Sequence, residues 1–107
     1  MSEVDIHQFA AVQADGAQVI DVREPAEYEA GHVPGARLIP LGRLTQGLGT
    51  LSRSRPVYVI CASGNRSRSG AALLADAGFD ALSVKGGTSA WSVAGLPIVR
   101  GVRENAA

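Results

Sequence analysis

Apolar residues along the chain fall into two kinds of block, and their periods predict the elements. Val4, Ile6, Phe9, Ala10 and Val12 lie near helical spacing; Asp5 is placed to cap that helix and Gly16 to end it. Gln18 to Val22 (QVIDV) is short, apolar and β-branched, as a buried strand is. Glu24-Pro25 opens a short helix that runs to Ala30 and stops at Gly31. Ala36 to Pro40 predicts a second short strand. Leu41, Leu44, Leu48 and Leu51 predict a helix over 41–51, weakened by Gly47 and Gly49. Pro56 to Ile60 is the clearest strand, and its unbroken apolar run implies burial on both faces. Ser69 to Ala77 is helical in type and Gly78 suits its end. Ala81 to Val84 predicts another strand, then Gly86-Gly87, with Thr88 capping a last helix through Trp91 that ends near Gly95. The tail beyond Pro97 is expected to fray. Short apolar strands alternating with helices define an α/β layered fold with a mostly parallel central sheet.

Composition narrows this picture. A chain of 107 residues fits one domain spanning 1–107, with aromatics at 5% and apolar residues at 46%, so the core is aliphatic. Ten basic and ten acidic side chains cancel, which gives no general attraction to nucleic acid or to a membrane. The N-terminus lacks the basic and apolar regions of a signal peptide, and no apolar run approaches a membrane span. The expected setting is the cytoplasm, and the expected state is a monomer. A single cysteine forms no internal disulfide, so the fold does not depend on an oxidising compartment.

That one thiol, Cys61, stands at the head of the loop CASGNRS, directly after the best strand and just before a helix. In open α/β sheets, ligands sit beyond the carboxyl ends of strands. A strand–loop–helix turn of this composition predicts an anion cradle. The amides of Ala62, Ser63, Gly64, Asn65 and Arg66 can turn toward one centre, aided by the helix N-terminus. Gly64 and Asn65 tolerate positive φ. Arg66 adds full positive charge, with Arg68 a further candidate. Ser67 either hydrogen-bonds the loop or thiolate or caps the helix, and capping is the expectation. A thiol in such a place ionises readily, because cations and helix N-termini depress its pKa by roughly 1 to 5 units. Asp21 and Arg23 follow the first strand and are expected to form a mutual or loop-directed ion pair behind the site.

Two reactions use a thiolate in an anion cradle: phosphate-ester hydrolysis and transfer of sulfane sulfur. The spacing here is Cys-x4-Arg, where cysteine phosphatases resemble one another in Cys-x5-Arg, and the shorter ring suits a single extra sulfur. An alkoxide leaving group needs a general acid, and Cys61–Ser67 holds none; sulfite departs without one. The loop favours sulfur transfer. A cysteine phosphatase or arsenate reductase, and a non-catalytic carrier or regulatory module, stay open as alternatives.

Three stretches resemble the rhodanese (thiosulfate sulfurtransferase) family in its own order: VIDVREPAEYEAGHVPGARLIPL (Val19–Leu41), VYVICASGNRSRSGAALLADAGF (Val57–Phe79) and VKGGTSAW (Val84–Trp91). The resemblance covers nearly the whole chain and implies a rhodanese-like three-layer sandwich in a single-domain member. It implies that Cys61 takes the outer sulfur of thiosulfate or a related donor as a persulfide. The sulfur then passes to a thiophilic acceptor, cyanide in the assay or a cellular thiol. The loop amides and Arg66 would hold the anion, and no metal or organic cofactor is implied. Glu27 and His32 match framework positions, His32 as a structural histidine. Gly86-Gly87 is expected to permit a tight turn near the site, and Trp91 to pack in the core. Lys85 is a candidate for charge at the pocket rim.

Overall fold

A computed structural model describes residues 2–105 of the chain. Five strands form one sheet: β1 (Ser2–Val4), β2 (Gln18–Asp21), β3 (Arg37–Leu38), β4 (Val57–Ile60) and β5 (Ala81–Val84). Every pairing is parallel, and the order across the sheet is β1-β5-β4-β2-β3. Four helices connect them: α1 (Ile6–Ala14), α2 (Pro25–Ala30), α3 (Asn65–Asp76) and α4 (Gly87–Val93). β4 lies between β2 and β5, so the residue that follows it emerges at the middle of the sheet's carboxyl edge.

Alternation along the strands divides the core in two. Ile20, Val22, Val57, Val59, Cys61 and Ala81 face one side, where they meet Ala71 and Leu74 of α3. Val19, Ile60 and Val84 face the other, against Phe9 of α1 and Trp91 of α4. Both faces of β4 are thus covered, as its unbroken apolar run requires. The Phe9 and Trp91 rings meet edge to face at 5.6 Å, which ties α1 to α4. Asp5 caps α1 as expected, in a reciprocal capping box with Gln8.

Four expectations need correction. Residues 41–51 are not one helix but two 3-10 turns, Leu41–Arg43 and Leu48–Thr50. Three glycines in eleven residues raise the cost of a continuous helix by about 1 kcal/mol each. Leu44 and Leu51 still bury, and Leu41 and Leu48 pack beside them. Val4 belongs to an edge strand that pairs with β5, not to α1. The strand predicted over 36–40 shrinks to Arg37–Leu38. The tail beyond Pro97 is strapped down. Val99 exchanges two backbone hydrogen bonds with His32, and the amides of Gly101 and Gly35 bond the carbonyls of Glu29 and Glu104. Ala106 and Ala107 lie outside the described residues.

Candidate active site

Cys61 is the first residue past β4 and is 1% exposed. The chain turns at Gly64, whose φ of +112° lies in the left-handed region that glycine enters without strain. α3 then begins at once with Asn65, four residues before the stretch of strong helical type. The polar residues Asn65 to Arg68 are therefore the first turn of α3, with its uncommitted amides and positive dipole end beside the thiol.

The Gly64 amide donates to Cys61 Sγ at 3.1 Å. The Ser67 hydroxyl lies 3.5 Å from the same sulfur. Burial pushes the thiol pKa up, but the Ser67 hydroxyl and the amides of Ser67, Gly64 and Ser63 outweigh it and bring it below the ordinary cysteine value. No contact places the amides of Ala62, Asn65 or Arg66 on the sulfur. Ser67 is not the helix cap that was expected. Gly64 takes that position, and Ser67 is the third residue of α3, where its side chain turns inward. Its hydroxyl lies 3.1 Å from the Gly64 carbonyl and 2.8 Å from the Ser83 hydroxyl of β5, so its one proton has the carbonyl, Ser83 or an ionised Cys61 sulfur as acceptor. Ser83 was not singled out from the sequence, although a serine facing inward in a four-residue buried strand is a signal of a polar partner.

The loop is held from behind by the start of α4. The Thr88 amide and hydroxyl donate to the Cys61 carbonyl at 2.8 and 3.0 Å, and the Ser89 amide donates to the Ala62 carbonyl at 3.0 Å. In a trans peptide the carbonyl and the next N–H point opposite ways. Fixing these two oxygens turns the amides of Ala62 and Ser63 away from α4, and Ser63 is one of those that favour the thiolate. Thr88 thus anchors the loop instead of capping α4, which starts after Gly86 in a left-handed conformation. A Cβ on Gly87 would lie 2.5 Å from the Cys61 carbonyl oxygen, so only glycine fits there.

The arginines around the loop all face carboxylates. Asp21 and Arg23 form the expected mutual pair, with Arg23 Nη2 2.8 Å from Asp21 Oδ2 and both side chains buried. Arg23 also donates to the Gly31 carbonyl, so it braces the turn after α2. Arg66 spends its guanidinium on Glu27 of α2, at 2.8 and 2.9 Å. The Arg66 contact and the Glu24 amide hold the Glu27 carboxyl at about 2, against the opposing push of burial. Arg68 is no part of the site: it turns outward, to Asn65 Oδ1 and to Glu3 of β1 at 3.7 Å. Exposed Lys85 has no ion-pair partner among the described residues.

His32 is fully buried, stacks on Tyr28 at 3.6 Å and places its two ring nitrogens against the carbonyls of Tyr28 and Arg103. It is structural, as expected. Trp91 is core, with its indole N–H donating to the Pro97 carbonyl.

The fold that carries this buried thiol has known counterparts. The model of the rhodanese-like domain matches residues 5–94 of this chain. The chain belongs to the rhodanese-like domain family. It is 36% identical over 85 residues to a thiosulfate sulfurtransferase, GlpE, of Pseudomonas entomophila, covering 78% of each chain. It is 43% identical over 76 residues to the uncharacterized protein YqhL of Bacillus subtilis, across 70% of this chain but only 60% of that protein's length. The crystal structure of a rhodanese-related protein from Thermoplasma volcanium superposes with a TM-score of 0.87 at 29% identity, covering 96% of this chain and all of that one. The rhodanese-like assignment fits the five-stranded parallel sheet with helices on both faces. Among the described residues, no helix is long and apolar enough to cross a membrane.

Proposed function

We propose that this rhodanese-like protein is a sulfurtransferase in which Cys61 carries sulfane sulfur as a persulfide. The observation that carries the reading is the Gly64 amide 3.1 Å from a sulfur whose pKa is held below that of an ordinary cysteine. The Cys61 thiolate attacks the outer sulfur of thiosulfate; the new S–S bond forms as the donor's S–S bond breaks, and its electron pair leaves with sulfite. The outer sulfur now bears the negative charge, and the amides of Ser63, Gly64 and Ser67 receive it as they receive the thiolate. A nucleophilic acceptor, cyanide or a cellular thiol, then attacks that outer sulfur and returns the Cys61 thiolate. Each step moves one sulfur atom and conserves charge. Neither step needs a general acid, because sulfite and a thiolate are stable anions. Glu27, the carboxyl facing the loop's arginine, is held near 2 and so stays ionised at neutral pH, which argues against phosphate-ester hydrolysis with Glu27 as proton donor.

Incubation with thiosulfate is expected to add one sulfur to the intact protein by mass. Added cyanide should remove it as thiocyanate, and Cys61→Ala should gain none. A protein that takes no sulfur from thiosulfate or polysulfide, yet hydrolyses an aryl phosphate, would replace this reading with the phosphatase one.

A further inference from the structure

The cations of the loop do not stand where their sequence positions suggest. Arg66 bonds both carboxylate oxygens of Glu27 in the forked geometry that arginine and carboxylate prefer. The two residues are 39 apart in sequence and bridge α2 and α3 at the solvent edge of the site, with side chains 38% and 37% exposed. Arg23 is closed on Asp21 beneath them, and Arg68 reaches away toward Glu3. An anion arriving at Cys61 therefore meets main-chain amides, while the guanidinium next to it is already neutralised.

We propose that Glu27 is a specificity-determining residue: by cancelling the Arg66 charge at the mouth of the loop, it turns the site from dianionic thiosulfate toward sulfane donors of low charge, such as a hydropersulfide. This inference rests on the reading of Cys61 as a sulfur carrier. With such a donor the Cys61 thiolate attacks the terminal sulfur of R–S–SH. The R–S–SH sulfur–sulfur bond breaks, its electron pair leaves with RS⁻, and Cys61 keeps the terminal sulfur with its proton. The single negative charge is conserved, and no free cation is required to bind the donor.

Glu27→Gln is the direct test. Glutamine keeps the side chain's length and the oxygen that accepts from the Glu24 amide, and removes the charge together with the second oxygen that accepts from Arg66. The readout is the ratio of kcat/KM for thiosulfate to kcat/KM for mercaptoethanol hydropersulfide, which carries at most one charge. The variant is expected to raise that ratio about five- to tenfold, the effect of one uncovered unit charge on a dianion several ångströms away. The gain should vanish in Glu27→Gln/Arg66→Gln and shrink as salt shortens the screening length. In the unaltered protein, thiosulfate turnover should change little between ~10 mM and ~300 mM salt. That measurement stands even if the variant does not fold. An unchanged or lower ratio, a gain that persists in the double variant, or a steep salt dependence in the unaltered protein would each overturn the proposal while leaving the persulfide reading intact. Failure of Cys61 to take sulfur from either donor would remove both.

Discussion

The floor and the rim of the Cys61 cradle are built from different materials. The floor is backbone and small side chains: the Gly64 amide, Ser67, Ser83 and the Gly86-Gly87 turn, with the Asp21–Arg23 pair buried on the neighbouring strand. The rim is long charged side chains on helices, chiefly Arg66 and Glu27, each more than one-third exposed. Both regions contain an arginine–carboxylate pair joined by more than one hydrogen bond, one through the Nε–Nη2 edge and one through the Nη1–Nη2 end, and they differ most in burial. A buried pair cannot lose one member without stranding the other charge in a medium that solvates it poorly. An exposed pair loses a member and water takes its place. On the sulfur-carrier reading proposed above, the floor governs whether sulfur is held, and the rim is left to adjust which donor arrives.

The largest effect that would break this contrast lies in the floor. Asp21→Ala strands Arg23 and is expected to cost about 3–5 kcal/mol of stability, read from the midpoint of denaturant unfolding. Arg66→Ala in the same assay should cost less than about 1 kcal/mol. Equal losses would mean that the two pairs are not different in kind.

A middle-sized effect sharpens the role of the floor in ionisation. Ser67→Ala removes a hydroxyl that favours the thiolate, so the thiol pKa should rise. The pH profile of iodoacetamide alkylation measures it directly, and alkylation at neutral pH should slow.

The smallest effect belongs to the rim. The Glu27 carboxyl is depressed from 4.5 to about 2, so its pairing stabilises the fold above the ordinary value and is lost as pH falls from about 4.5 toward 2. Solvent screening at this exposed site keeps the contribution under about 1 kcal/mol. Glu27→Gln should therefore flatten the acid limb of the stability–pH curve by lowering the neutral plateau, by less than about 1 kcal/mol, while stability below about pH 2 stays as it was; thermal melts across that range would show it.

What the sequence made legible follows the same division. β4 and α3 were readable because burial on both faces and a run of helix formers leave few other choices, and the thiol's place after β4 followed from them. The mutual pairing of Asp21 and Arg23 could be expected from two residues so near in sequence. The Arg66–Glu27 pair could not, because it depends on how α2 and α3 come together across 39 residues. Ser67 departs from expectation for a local reason: its preference for a cap is real, but Gly64 supplies the left-handed turn three residues earlier and pulls Ser67 into the helix. The leucines of 41–51 faced the core as their spacing required, yet the glycines among them broke the backbone into turns. Side-chain destinations were easier to foresee there than main-chain form.

The grip of α4 on the carbonyls of Cys61 and Ala62 bears on whether this site is portable. Transplanting the seven residues CASGNRS between a strand and a helix of another parallel sheet would carry over the thiol and the arginine, but not the two donors, from the Thr88 and Ser89 amides, that orient the peptide planes. The heptapeptide is only half of the device. Its other half lies one β-unit later in the chain, and an engineer who wants the reactivity must move both.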